Sequence, residues 1–136
     1  MKVVLDTNCL VNVIMPNSYN NDIWQAFRAY KYTLCISNDI LLEYHEILSK
    51  RYNVEIANTV IKELLESRNV QKVTPAYRFC LITADPDDNK FVDCAITAGA
   101  TFIVSNDKHF KELENYDYPK VDVRQLHEFL QIVRTL

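Results

Sequence analysis

Apolar residues in this chain follow two rhythms. Val3-Val4-Leu5, Thr33-Leu34-Cys35-Ile36 and Thr101-Phe102-Ile103-Val104 are short unbroken runs containing β-branched residues. Such runs mark strands buried on both faces. Val70–Thr74, stopped by Pro75, and Val121-Asp122-Val123 predict two further strands. Elsewhere apolar positions recur three and four apart, the helical period. One helix is expected after the polar turn Pro16–Asn21, with Ile23, Trp24, Phe27 and Tyr30 on one face. The next follows Ser37 as its N-cap, carries Ile40, Leu41, Tyr44, Ile47 and Leu48, and closes on Lys50-Arg51, where cations suit the helix dipole. Val54–Glu66 carries the stripe Ile56, Val60, Ile61, Leu64 and Leu65. Asn89–Ala98 turns Phe91, Val92, Ala95 and Ile96 inward and ends at Gly99, the expected left-handed residue past a helix end. Arg124–Val133 closes the chain, and residues 75–88 read as loop. Strands alternating with helices predict an α/β domain with a mainly parallel sheet, one domain over residues 1–136.

Composition narrows the chemistry. Gly99 is the only glycine, so no glycine-rich phosphate loop can be written. The 18 acidic residues outnumber 15 basic ones, which argues against a binder that uses a generally cationic surface. Cys9, Cys35, Cys80 and Cys94 have neither zinc-ligand spacing nor the look of a disulfide framework. With no signal-peptide pattern and no long apolar span, the expectation is a soluble, reduced, cytoplasmic protein with no membrane association.

Candidate chemistry lies in the acids. Ligands of parallel α/β sheets bind beyond the carboxyl ends of the strands. Asp6 directly follows the first strand, and Asp107 follows Thr101–Val104 after Ser105-Asn106. Asp93 interrupts the apolar stretch Phe91–Ile96 and forms a polar column with Asn89 and Thr97, while Glu43 stands between Leu42 and Tyr44. Two like charges roughly 4 Å apart repel by about 4 kcal/mol at an effective dielectric near 20. Carboxylates gathered so closely need a cation, and oxygen ligands without Cys or His suit Mg²⁺ or Mn²⁺. Two-metal phosphodiester hydrolysis uses such a cluster. Each acid also has a plainer reading. Asp6 could form a turn, Asp107 could cap Lys108–Lys111, Asp85 or Asp87 could cap the following helix, and Glu43 could lie on the surface beside Glu46 and Lys50.

Four segments in order resemble the motifs of PIN-domain ribonucleases: Leu5-Asp6-Thr7-Asn8, Ser37–Tyr44, Asp85–Ala95 and Ile103–Asp107. The form Asp85-Pro86-Asp87-Asp88-Asn89-Lys90-Phe91 is most similar to the VapC-like toxin components of toxin–antitoxin operons. Ser105-Asn106-Asp107 departs from the Thr-x-Asp of many members but keeps a hydroxyl. The resemblance implies a three-layer α/β/α fold and an Mg²⁺ or Mn²⁺ site formed by Asp6, Glu43, Asp93 and Asp107, with Asp88 as a fifth ligand. Asp6 and Asp107 would be the principal ligands; Glu43 and Asp93 would complete the shell and handle the attacking water. Asn8 and Ser105 would support the acids or the scissile phosphate. Lys108, His109 and Arg51 are the candidate substrate contacts. The implied reaction is hydrolysis of single-stranded RNA to 5′-phosphate and 3′-hydroxyl ends, and the implied partners are a cognate antitoxin and a second copy of the chain.

Two other readings stay open. A metal-dependent phosphatase with Asp6 as nucleophile would want a second Asp two residues on, where Asn8 stands. A non-catalytic PIN-like module binding RNA or protein would have no use for so many near-core acids, which are costly to bury. Setting aside Asp6, Glu43, Asp88, Asp93 and Asp107 leaves 13 acidic against 15 basic residues, so the overall charge does not exclude an RNA substrate.

Overall fold

A computed structural model describes residues 1–136. Five strands, β1 (Lys2–Leu5), β2 (Thr33–Ile36), β3 (Val70–Lys72), β4 (Phe102–Val104) and β5 (Val123–Arg124), form one sheet in the order β3-β2-β1-β4-β5. Every pairing is parallel, with Val3 opposite Leu34 on one side and Phe102 on the other. Six helices surround it: α1 (Thr7–Val13), α2 (Asn21–Arg28), α3 (Asn38–Arg51), α4 (Val54–Glu66), α5 (Asn89–Ala98) and α6 (Leu126–Arg134). The result is a three-layer α/β/α arrangement, as expected. Val3, Val4, Leu5, Ile103 and Val104 are fully buried, which explains why their runs do not alternate. Phe129 of α6 packs edge-on against Phe102 of β4 and Tyr32, while α5 lies against β1, β2 and β4.

Several predicted boundaries hold residue for residue. Ser37 caps α3 by accepting from the Ile40 N–H at 3.3 Å, and Gly99 ends α5 at φ 66°. Other expectations need correction. Tyr30 is not on the inner face of α2: the helix stops at Arg28, and Tyr30 is exposed with φ 61°. Leu65 is exposed, because Ala57, Val60 and Leu64 make the buried edge of α4. Arg124 belongs to β5, so the last helix starts at Leu126. Asp107 caps a 3-10 helix, Lys108–Asn115, longer than the short segment anticipated. Helix α1 has no counterpart in the sequence reading. Its seven residues bury Thr7, Cys9, Leu10, Val11 and Val13, too short a segment and too apolar around its circumference to show a clear stripe.

The chain leaves β1 toward β2 on one side and later returns to place β4 on the other. That reversal opens a crevice at the carboxyl ends of β1 and β4, where such sheets bind ligands.

Candidate metal centre

Asp6 is the first residue beyond β1. Its N–H donates to the Val104 carbonyl at 3.0 Å, which carries the β1–β4 ladder one residue into the crevice. Ser105, just beyond β4, donates its hydroxyl to Asp6 Oδ2 at 2.7 Å and accepts the Asp107 N–H at 3.0 Å. One small side chain therefore sets the positions of two acids. Burial raises the Asp6 carboxyl pKa above its usual range; Ser105 and the Thr7 N–H oppose that, and the charges of Asp107 and Glu43 add to it. Tyr44, fully buried, donates to the Leu5 carbonyl at 2.5 Å and fixes α3 against the end of β1.

Asp88 closes the 3-10 turn Pro86–Asp88 at the head of α5. Asp85 accepts the Asp87 N–H at 3.1 Å and so caps this 3-10 turn, not the helix from Asn89 that it was expected to cap. The Asp88 carboxyl is pushed up to about 7, first by burial and then by Asp107, Asp85 and Asp6, with the His109 ring pulling slightly the other way. His109 Nδ1 lies 3.3 Å from Asp107 Oδ1 and 3.6 Å from Asp88 Oδ2. Neither Asp88 Oδ2 nor His109 Nδ1 has a hydrogen-bond partner, although both atoms are buried. Ligand atoms of Asp85, Asp88 and His109 lie within 4.8 Å of one another.

Glu43 projects from α3 and is held at both oxygens. The Thr7 hydroxyl donates to Oε2, and Lys90 Nζ reaches Oε1 at 2.7 Å. Lys90 also pairs with Asp87 at 3.0 Å. Asp93 faces elsewhere. Its Oδ1 accepts the Phe79 N–H at 3.1 Å, and it lines a groove of about 430 Å³ between α3 and α5 with Glu43, Asn89, Lys90 and Arg78. Burial raises its pKa, while Phe79 and Arg78 lower it; the carboxylates that shift Asp6 and Asp88 do not include it. Asp6 and Asp107 thus line one cavity, Asp88 feels the charge of both, Glu43 acts on Asp6 only through its charge, and Asp93 sits under the loop that carries Phe79.

The remaining candidates scatter. Asn8 is exposed and lines a cavity of about 370 Å³ with Asp6, Asn12, Asn106 and Asp107. Arg51 stands beside Asn8, Asn12 and Tyr52 in a wider cleft of about 700 Å³. Lys108 borders a third cavity, about 440 Å³, that also receives Lys111, Lys120 and Arg124. His109 turns its ring toward the acids. Thr7 and Lys90 are site residues that the sequence reading left without a role. A single cation at the head of an otherwise apolar helix was the available signal for Lys90.

The residues fit a divalent cation. Ligand atoms of Asp85, Asp88 and His109 lie within 4.8 Å of one another, and Asp6 and Asp107 act on Asp88 through their charge, with no arginine or lysine among the groups that shift it. The buried Asp88 Oδ2 lacks a hydrogen-bond donor at a cost of about 1–3 kcal/mol. Their oxygens suit Mg²⁺ or Mn²⁺, and the His109 ring nitrogen is also within Mn²⁺ chemistry.

Fold and site together define a parallel α/β domain with a cluster of acidic residues at its topological switch point that could hold a divalent cation. The PIN domain family model matches residues 2–109, and the chain belongs to the PIN-domain family. Three solved structures share the fold. A chain of VapBC2 from Rickettsia felis, bound to a DNA fragment from its promoter, is 24% identical with a TM-score of 0.62, over 92% of this chain and 98% of that one. A chain of VapBC-1 from nontypeable Haemophilus influenzae is 15% identical with a TM-score of 0.62, over 93% and 99%. A chain of FitAB bound to the IR36 DNA fragment is 13% identical with a TM-score of 0.55, over 91% and 94%. No curated protein matches the sequence. No helix is long and apolar enough to cross a membrane.

Proposed function

We propose that this PIN domain is a Mg²⁺- or Mn²⁺-dependent endoribonuclease acting on single-stranded RNA, the toxin of a toxin–antitoxin pair. The observation that carries the reading is Asp88 Oδ2, buried and without a hydrogen-bond donor, in the field of Asp107, Asp85 and Asp6. Such an oxygen is expensive unless a cation completes it. Asp6, Asp88 and Asp107 would hold the ion. When bound, it supplies Lewis-acid chemistry, lowering the pKa of a nucleophilic water and stabilising charge on a phosphodiester oxygen. Ser105 keeps Asp6 and Asp107 in fixed relation through its two hydrogen bonds. Glu43, anchored by Thr7 and Lys90, borders the same space and is the group placed to orient or deprotonate the water. In this assignment Asp88, expected as a fifth ligand, is a principal one, and Asp93, expected among the first four, holds the Phe79 loop. Asn8 and Lys108 line cavities that Asp107 also borders, Arg51 lines the cleft on the other side of Asn8, and these three are the candidate RNA contacts.

The antitoxin partner rests on the neighbours, which are chains of VapBC and FitAB assemblies. A homodimer is part of the same proposal. The cytoplasm is the proposed location, in keeping with the four free thiols, of which Cys9, Cys35 and Cys94 are buried.

Purified protein incubated with single-stranded RNA tests the activity. Cleavage to 5′-phosphate and 3′-hydroxyl ends is expected with Mg²⁺ or Mn²⁺ and should stop in excess EDTA. Undiminished cleavage in EDTA would overturn the reading.

A further inference from the structure

Lys90 divides the acidic site in two. Its ammonium lies 2.7 Å from Glu43 Oε1 and 3.0 Å from Asp87 Oδ1, and its side chain is only 15% exposed. Thr7 occupies the other oxygen of Glu43. On this side, next to α3, the chain supplies its own positive charge. Asp6 and Asp88 differ: the charges shifting them are other carboxylates, and the one opposing side chain at Asp88 is the His109 ring. The two halves adjoin, since Glu43 acts electrostatically on Asp6.

We infer that Lys90 is a built-in cation on the Glu43 side of the site, so that the site takes one divalent ion, held by Asp6, Asp88 and Asp107, and none at Glu43. This rests on the metal-dependent reading above. The charges lead to the count. A divalent ion at Glu43 would have to sit against a fixed ammonium, and like charges at that range repel strongly in a partly buried site. An ion among the other three acids meets negative charge and, at Asp88 Oδ2, an oxygen with no hydrogen-bond donor. His109 Nδ1, 3.6 Å from that oxygen, is itself without a hydrogen-bond partner and is not a fixed ammonium. In two-metal hydrolysis both cations face the phosphate, one toward the attacking oxygen and one toward the leaving oxygen. Lys90 would keep a positive charge on its side of that space without a second binding event. It is a positioning residue: it acts by holding Glu43 and by excluding a cation.

Counting bound Mn²⁺ by calorimetry and electron paramagnetic resonance tests this on the full chain, with Lys90→Met and Lys90→Arg as variants. Wild type and Lys90→Arg should bind one ion each, because both keep the charge. Lys90→Met should bind two, the second on the freed Glu43. Thermal melts establish that the variants are folded, and Lys90→Gln replaces Lys90→Met if the methionine variant is not. Two ions in the wild type, or one in the folded neutral variants, would overturn the inference while leaving a metal-dependent nuclease intact. No ion in the wild type would overturn both.

Discussion

Two carboxylate-rich regions flank the head of α5, and they are built on opposite principles. On the side of the Phe79 loop the acids are satisfied. Asp93 accepts the Phe79 N–H, and Glu112 accepts the N–H groups of Thr83 and Ala84 and the Thr83 hydroxyl. Those donors hold the Glu112 carboxyl below its usual range. Asn89 adds a bond to each side of the Ile82 backbone, at 2.9 Å to its N–H and 2.9 Å to its carbonyl. A loop without regular structure is thereby fastened by side chains. On the crevice side burial and the charges of Asp107, Asp85 and Asp6 push Asp88 up to about 7, and one of its oxygens has no hydrogen-bond donor. On the loop side every acid named is spent on backbone donors; on the crevice side Asp6 and Asp107 have donors as well, and Asp88 Oδ2 is the oxygen left without one.

The largest expected effect is at Asp6. Asp6→Asn should lower RNA cleavage by more than the ~10–100-fold that loss of an outer-shell partner costs, read as initial rates on a labelled single strand. Ser105→Ala removes the donor to Asp6 and the acceptor for the Asp107 N–H, so metal affinity or cleavage should fall by about 10–100-fold. Asp93→Ala belongs to the other region. It should leave the cleavage rate within a few-fold, roughly, yet destabilise the fold by about 1–3 kcal/mol in urea melts, because the Phe79 N–H loses its acceptor.

The smallest effect is on pH dependence. In metal-free protein the Asp88 carboxyl is raised from 3.8 to about 7, so between those values the native state keeps a proton the unfolded chain has lost. Its contribution to stability is therefore lost as pH rises through that window. Asp88→Asn should remove part of the loss, flattening the stability curve from thermal melts across pH 4 to 7.

Much of this was legible in the sequence. Strands buried on both faces, the Ser37 cap, the spans of α4 and α5 and the Gly99 terminus follow from periodicity and local backbone chemistry. The positions of Asp6 and Asp107 follow from the rule that ligands gather at strand ends. For Asp88 and Asp93 the resemblance put Asp93 among the four principal acids and Asp88 fifth, an order that strand and helix spacing cannot check. Both are near the start of α5, and only the path of the Phe79 loop shows which of them already has a donor. Likewise Lys90 and Thr7 reach Glu43 across 47 and 36 residues of chain, a pairing that neither helical nor strand spacing encodes.

The direct test is Mn²⁺ titration calorimetry on Asp88→Asn and Asp93→Asn side by side. The account predicts that Asp88→Asn loses most of its affinity while Asp93→Asn binds as the wild type does. Retained affinity in Asp88→Asn together with its loss in Asp93→Asn would contradict it.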